Sequence, residues 1–154
     1  GGLSQREAEL WVKIEQNNRA QTAEGRRAIL EAARIAIREG GPNVDRENLV
    51  VPLLRAVAAK EGEDPGTAAQ AYFLLGEYHV RQSRPAEARE VFLNAAAANP
   101  SDSELAAQSL YRAAEASLLA GRRPEARRIV NELESSFPQS EWTAEARRLL
   151  EGSG

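Results

Sequence analysis

The chain has 154 residues, 42% of them apolar and 28% charged, with a net charge of −3. That balance fits a folded domain rather than a disordered one, and it leaves no basic excess to neutralise nucleic-acid phosphates. Cysteine is absent, which excludes disulfides, thiolate metal sites and cysteine nucleophiles together.

Aromatic residues are only 5% of the chain, whereas alanine is abundant. Alanine is the best helix former and lets helices approach closely, so a helix-on-helix protein is expected. No run approaches the length of a membrane span, and no signal peptide is visible. The chain opens GGLS and contains no methionine; it is expected to be a domain or mature fragment of something longer.

Breaks near Asn17–Gln21, Gly40–Pro42, Gly62–Gly66, Ser83–Pro85, Asn99–Pro100, Gly121–Pro124 and Phe137–Pro138 divide the sequence. The segments between them lack alternating β-branched runs and read as helices. The first, about Ser4–Asn17, sets Leu3, Leu10 and Ile14 on one stripe with Trp11 beside it. The second, about Thr22–Arg38, gives Ile29, Ala33 and Ala36-Ile37 one face. The third, about Asp45–Lys60, takes Asp45 as N-cap and Leu49, Leu53 and Val57 as its apolar register. Pro52 inside it is expected to kink the helix or delay its start. Five more helices follow at about Gly66–Gln82, Pro85–Ala98, Ser101–Ala120, Pro124–Ser136 and Ser140–Glu151. Pro85 and Pro124 suit a first helical turn, and Ser101 and Ser140 suit N-caps.

A shift of 38 residues lays the later part of the chain on itself. Ala68-Ala69-Gln70 falls on Ala106-Ala107-Gln108, Phe73 on Tyr111, Glu77 on Glu115, Arg84 on Arg122, Glu87-Ala88-Arg89 on Glu125-Ala126-Arg127, and Pro100 on Pro138. Self-similarity at such a period signals stacked helical hairpins, each covering the apolar face of the next.

The spacing of Leu75-Gly76, Ala88, Phe92, Ala95 and Pro100 resembles that of the tetratricopeptide repeat, with Ala114, Ala126, Val130 and Pro138 in the second copy. Each copy is longer than the repeat's usual length of about 34 residues. The resemblance implies an all-α fold, a right-handed superhelical solenoid of antiparallel helix hairpins with about eight helices. It divides the chain into an N-terminal helix or cap (1–21), a degenerate hairpin (22–66), two repeats (67–138) and a capping or truncated repeat helix (139–154). Gly76 against Ala88, and Ala114 against Ala126, are expected to set the close helix crossings. The closing SSFPQSEWTAEARRLL resembles repeat junctions of bacterial cell-envelope proteins of this family, of the Tol–Pal-associated and outer-membrane assembly types. A periplasmic or envelope location is what that likeness implies.

Few groups could carry chemistry. His79 is the single histidine, and it reads as a packed residue rather than a catalytic base. The acidic turn Glu61–Asp64 lacks the spaced ligands of a calcium loop. Gly40-Gly41 is not followed by the lysine of a phosphate loop. The arginine pairs at 26–27, 122–123, 127–128 and 147–148 alternate with glutamates and read as a solvated face. No enzyme activity, cofactor or metal is therefore expected.

In the resembled family the first helix of each copy lines a concave groove that binds protein partners. The corresponding positions are Gln70, Phe73, Glu77, Val80 and Arg81, then Gln108, Tyr111, Glu115 and Leu118. Two readings of the aromatic pair stay open: anchors for a peptide or helix, or packing between neighbouring first helices. Chaperone-type carboxylate clamps of this family place Lys and Asn where Phe73, Glu77, Tyr111 and Glu115 stand. The implied ligand at these positions therefore has apolar anchors and a basic group. A structural or oligomerisation role through the ends is the alternative, using Trp11 or Trp142 with Leu149-Leu150. Accessory service to a larger enzyme is a third. No nucleic-acid partner and no membrane insertion are expected.

Overall fold

The structure, a computed structural model, describes residues 4–39 and 44–153, with side chains at 4–38 and 48–153. Leu3, the lengthened loop after Gly40 and the side chain of Asp45 lie outside the described residues. The fold is all-helical, and no strand occurs among the described residues. Eight α-helices follow in order: α1 (Gln5–Gln16), α2 (Ala23–Arg34), α3 (Val44–Ala58), α4 (Pro65–Arg81), α5 (Pro85–Ala98), α6 (Ser103–Leu119), α7 (Arg123–Ser136) and α8 (Glu141–Gly152). They form two compact units, Gly1–Leu75 and Gly76–Gly154, whose boundary falls inside α4.

In the first unit α1 packs on α2, and α2 on α3. Ser4 and Glu7 close a capping box at the start of α1, satisfying end groups that have no partner within the helix. Leu10 and Ile14 are buried as their spacing predicts. The second helix departs from expectation at its end. Beyond Arg34 it continues as a π-helical turn, Ile35–Glu39, and Ala36 and Ile37 are buried within it. In the third helix the apolar register is displaced by one residue. Leu49 is 58% exposed, while Val50, Leu54 and Val57 are buried. The β-branched neighbours Val50 and Val51 thus turn inward, and of the three expected residues only Val57 is in the core. Pro52 lies inside α3 and does not delay its start.

A buried ion pair ties this unit together. Arg26, expected on a solvated face, is buried. Its Nε donates to Asp64 Oδ2 at 2.8 Å, and its Nη1 donates to the Ala20 carbonyl, also at 2.8 Å. Asp64 in turn accepts from the Thr67 N–H and so caps α4. Burial pushes the Asp64 carboxyl up, but the bonds from Thr67 and Arg26 outweigh it and hold the group below its ordinary value.

In the second unit α5 packs on α6, α6 on α7, and α8 on both α6 and α7. Pro85 opens α5 and Pro124 falls in the first turn of α7, as expected. The N-cap of α6 is Asp102 rather than Ser101; its carboxylate accepts from the Leu105 N–H at 3.1 Å. Ser101 instead donates to Asn99 Oδ1. With Ser140 capping α8 through the Trp142 N–H, the first-helix caps Asp64, Asp102 and Ser140 recur in step with the 38-residue repeat.

The hairpin turns repeat as closely. Arg84 N–H bonds to the His79 carbonyl and Ser83 N–H to Val80; Arg122 N–H bonds to Ser117 and Gly121 N–H to Leu118. Both are Schellman closures, which need a left-handed residue just past the helix. That residue is Gly121 (φ 75°) in one copy and Ser83 (φ 58°) in the other.

The close crossing at Gly76 is set by Phe92, one turn on from the expected Ala88. A Cβ built on Gly76 would stand 2.4 Å from the Phe92 ring, and Phe92 is fully buried. The second copy puts Ala114 in place of Gly76 and Val130 in place of Phe92. One pair is minimal plus large; the other is small plus medium.

Two outcomes follow from this packing. In chemical denaturation, Gly76→Ala should cost about 1–2 kcal/mol, because overpacking exceeds the better helix propensity of alanine. In a Phe92→Val background the same change should stabilise by about 0.5–1 kcal/mol, since only propensity remains. Equal costs in both backgrounds would refute the ring contact as the reason for glycine. Separately, Ser83→Gly should add about 1 kcal/mol by relieving a left-handed residue, seen as roughly 2–4 °C in Tm.

Candidate functional site

The expected groove positions divide between the two units. Gln70 and Phe73 belong to the first. Gln70 is half-buried, and its Oε1 accepts from Arg34 Nη2. Phe73 is only 5% exposed, so it is packed inside the fold and offers no ring to a ligand; of its two readings, packing is the one its burial supports. The remaining seven residues belong to the second unit. Glu77 and Val80 are half-buried and Arg81 is exposed at the end of α4. Val80 joins Ser83, Pro85 and Leu119 around a shallow apolar pocket of about 390 Å³, with Leu119 65% exposed.

The best-defined surface is on α6. Helical spacing puts Gln108, Tyr111, Glu115 and Leu118 on one stripe, and all four are half-buried rather than in the core. Glu104 continues this stripe toward the start of the helix. Trp142 from α8 lies against it. Its ring is 5.4 Å from the Tyr111 ring at a 38° tilt, and its Nε1 donates to Glu104 Oε1 at 2.8 Å. Trp142 therefore belongs with Tyr111 rather than with an end surface. Its place was readable in the repeat: the shift that maps Phe73 on Tyr111 maps Glu104 on Trp142, so the indole occupies the next copy's equivalent of the glutamate it bonds.

Carboxylates surround this aromatic pair. Burial raises the Tyr111 phenol above its ordinary value, and the charges of Glu115 and Glu145 raise it further, against a smaller opposing effect of Arg112. Arg112 is itself engaged. Its Nε donates to Glu115 Oε1 at 3.1 Å, and its guanidinium lies 5.0 Å from the centre of the Phe92 ring, a cation–π geometry. The stripe thus presents an aromatic patch bordered by negative charge, which suits an apolar anchor beside a basic group.

Elsewhere, His79 is buried with its ring edge-on to Tyr78 at 5.2 Å, in keeping with a packing role. Of the arginine pairs, Arg27, Arg122, Arg147 and Arg148 are exposed and paired with glutamates; Arg26 is the exception noted above. Among the described residues no group of three or more His, Asp or Glu is arranged to hold a metal ion. No described helix is long and apolar enough to cross a membrane.

The Tyr111 environment has a spectroscopic consequence. The folded state favours the neutral phenol, so its contribution to stability is complete below the unfolded value near ~10 and is lost as pH rises through the higher folded value. In alkaline difference spectra, with Tyr111→Phe as the subtraction, the Tyr111 midpoint should lie above that of a free tyrosine. Glu115→Gln should move it down. A midpoint unmoved by Glu115→Gln would mean that the carboxylate does not act on the ring.

No curated protein and no solved structure matches the chain. The Tetratricopeptide repeat family matches it twice, over residues 51–103 and 73–141, spans that take in the Schellman turns, the Gly76 crossing and the α6 stripe. With eight α-helices among the described residues, a 38-residue register and those matches over more than half its length, the chain belongs to the tetratricopeptide repeat family.

Proposed function

We propose that this protein is a non-enzymatic interaction scaffold that holds a peptide or helix of a partner protein along the first-helix surface of its repeats. Repeats of this family generally mediate protein–protein interaction, and their all-helical fold is typically non-catalytic. In this reading residues 67–138 are the two full repeats, 22–66 a degenerate hairpin, and 1–21 and 139–154 the flanking cap helices. The likeness of SSFPQSEWTAEARRLL to envelope-protein repeat junctions supports a place in a bacterial envelope assembly.

The observation that carries the reading is the half-exposed Tyr111–Trp142 pair between Glu104 and Glu115. A rigid aromatic pair gives large contact area at low entropic cost. The flanking carboxylates favour a ligand with a basic residue next to its apolar anchor. Gln108 and Leu118 extend the contact along the stripe; Glu77, Val80 and Arg81 are the α4 contribution. In the first unit Gln70 is the corresponding polar position, and Phe73 supports its helix rather than serving as an anchor.

Self-association is the second reading, and the exposed Leu119 beside Val80 and Pro85 favours it. One experiment separates the two. The wild-type chain and Tyr111→Ala, its fold checked by circular dichroism, serve as baits for crosslinked capture from cell envelope and soluble fractions. The expected result is a partner held by wild type and lost by Tyr111→Ala, with the crosslinks falling on α6 and α8. A partner indifferent to Tyr111→Ala, or a mass in solution that rises with concentration and is reversed by Leu119→Glu, would move the function to the Leu119 surface.

A further inference from the structure

We infer that the first unit carries a separate binding site for an acidic segment of a partner protein. The site is an open pocket of about 440 Å³ where α1 and α2 meet the start of α4, and its polar lining includes Arg6, Lys13, Arg27, Glu31, Arg34 and Gln70. Four cations face one carboxylate in a chain whose overall charge is −3. This local excess is therefore opposite in sign to the molecule as a whole.

The charges in the pocket are only partly compensated. Arg6 donates from Nη2 to both oxygens of Glu31 and has Glu9 3.8 Å from Nη1, which accounts for one cation. Arg27 meets only Glu24, at 3.3 Å on its own helix, and both side chains are exposed; such a pair is weak in water and exchanges readily. Arg34 donates to Gln70, a neutral partner that leaves its charge unmatched. Lys13 makes no ion pair among the described residues and is exposed.

Carboxylate is the anion that these groups fit. Guanidinium groups bind carboxylates through charge-assisted hydrogen bonds, and inside the pocket Arg6 Nη2 already donates to both oxygens of Glu31. A compact dianion such as phosphate would sit against Glu31 at greater cost than a single carboxylate. A nucleic acid carries a phosphate at every nucleotide and would set several of them against Glu31 and the acidic surface of the chain at once, whereas a peptide can space its carboxylates to meet only the cations. A flexible run of Asp and Glu can seat individual side chains on Lys13, Arg27 and Arg34 and leave Glu31 in its pair. This site goes beyond the aromatic stripe of the second unit, whose carboxylates select the opposite ligand charge.

The test is fluorescence anisotropy of a labelled peptide of alternating Asp, Glu and Gly, titrated with the full chain at low ionic strength. Wild type should bind, and added salt should weaken the complex. Lys13→Glu/Arg27→Glu should bind about tenfold or more weakly, because attraction becomes like-charge repulsion. The control Arg127→Glu/Arg128→Glu makes the same charge change on exposed residues of α7 and should leave binding unchanged. Should the first variant fail to fold, Lys13→Gln/Arg27→Gln replaces it, with a loss of about threefold expected. Absence of wild-type binding, or equal losses in the α7 control, would overturn the proposal. Tighter binding of a single-stranded oligonucleotide or of vesicles containing anionic lipid, lost in the same variants, would also overturn it, by reassigning the pocket to another polyanion.

Discussion

The edge of the Phe92 ring fills the space that a Cβ on Gly76 would need. Much of the second unit is arranged around that contact. Gly76 gives up helix propensity so that a full aromatic ring can be buried at the crossing. Arg112 from α6 then lies over the ring and carries Glu115 with it. A packing decision in the core therefore fixes a charged pair one helix away, on the stripe where a ligand would lie. The second copy carries Ala114 and Val130 at the equivalent positions, both buried. The exchange trades volume from one position to the other, the kind of change that close-packed interiors tolerate best.

Much of this fold was legible in the sequence, and the failures have physical causes. Helix ends marked by proline, glycine or a repeat were found within a residue or two, since those residues act locally through φ or a missing N–H. The apolar register of α3 was not, because Leu49-Val50-Val51 offers three adjacent apolar residues and only tertiary packing chooses among them. Arg26 was misread for a similar reason. Its partner Asp64 is remote in sequence, and an arginine that is buried looks the same in a sequence as one that is solvated. At the candidate site, Gln108, Tyr111, Glu115 and Leu118 could be placed on one face from helical spacing alone. The indole that joins them comes from the next copy, and it was visible only by carrying the 38-residue shift one step further.

Charge is distributed unequally between the two surfaces of interest. The pocket of the first unit concentrates Arg6, Lys13, Arg27 and Arg34, whereas the α6 stripe of the second sets Glu104 and Glu115 around its aromatic pair. A scaffold with surfaces of opposite sign discriminates partly by repulsion: a ligand segment suited to one surface is disfavoured at the other. A composition of nearly balanced charge conceals this, because the net value sums over both.

The polar contacts that join successive copies show why such surfaces can differ while the fold does not. Arg34 with Gln70, Arg89 with Glu125, and Trp142 with Glu104 link residues 36 or 38 positions apart. Each reaches only the adjacent copy, as expected where stability is a sum of repeat and nearest-neighbour terms. The duplicated Glu-Ala-Arg motif, Glu87–Arg89 and Glu125–Arg127, is one such link: the arginine of the first copy meets the glutamate of the second. Stacking thus gives the Arg of one copy and the Glu of the next a shared role. The stripe positions of α6 are under a looser constraint. Gln108, Tyr111, Glu115 and Leu118 are half-buried and keep part of their surface toward solvent. Residues there can change with the partner while Ala88, Phe92, Ala126 and Val130 keep the hairpins closed, and it is in that freedom that the binding specificity of this chain would be written.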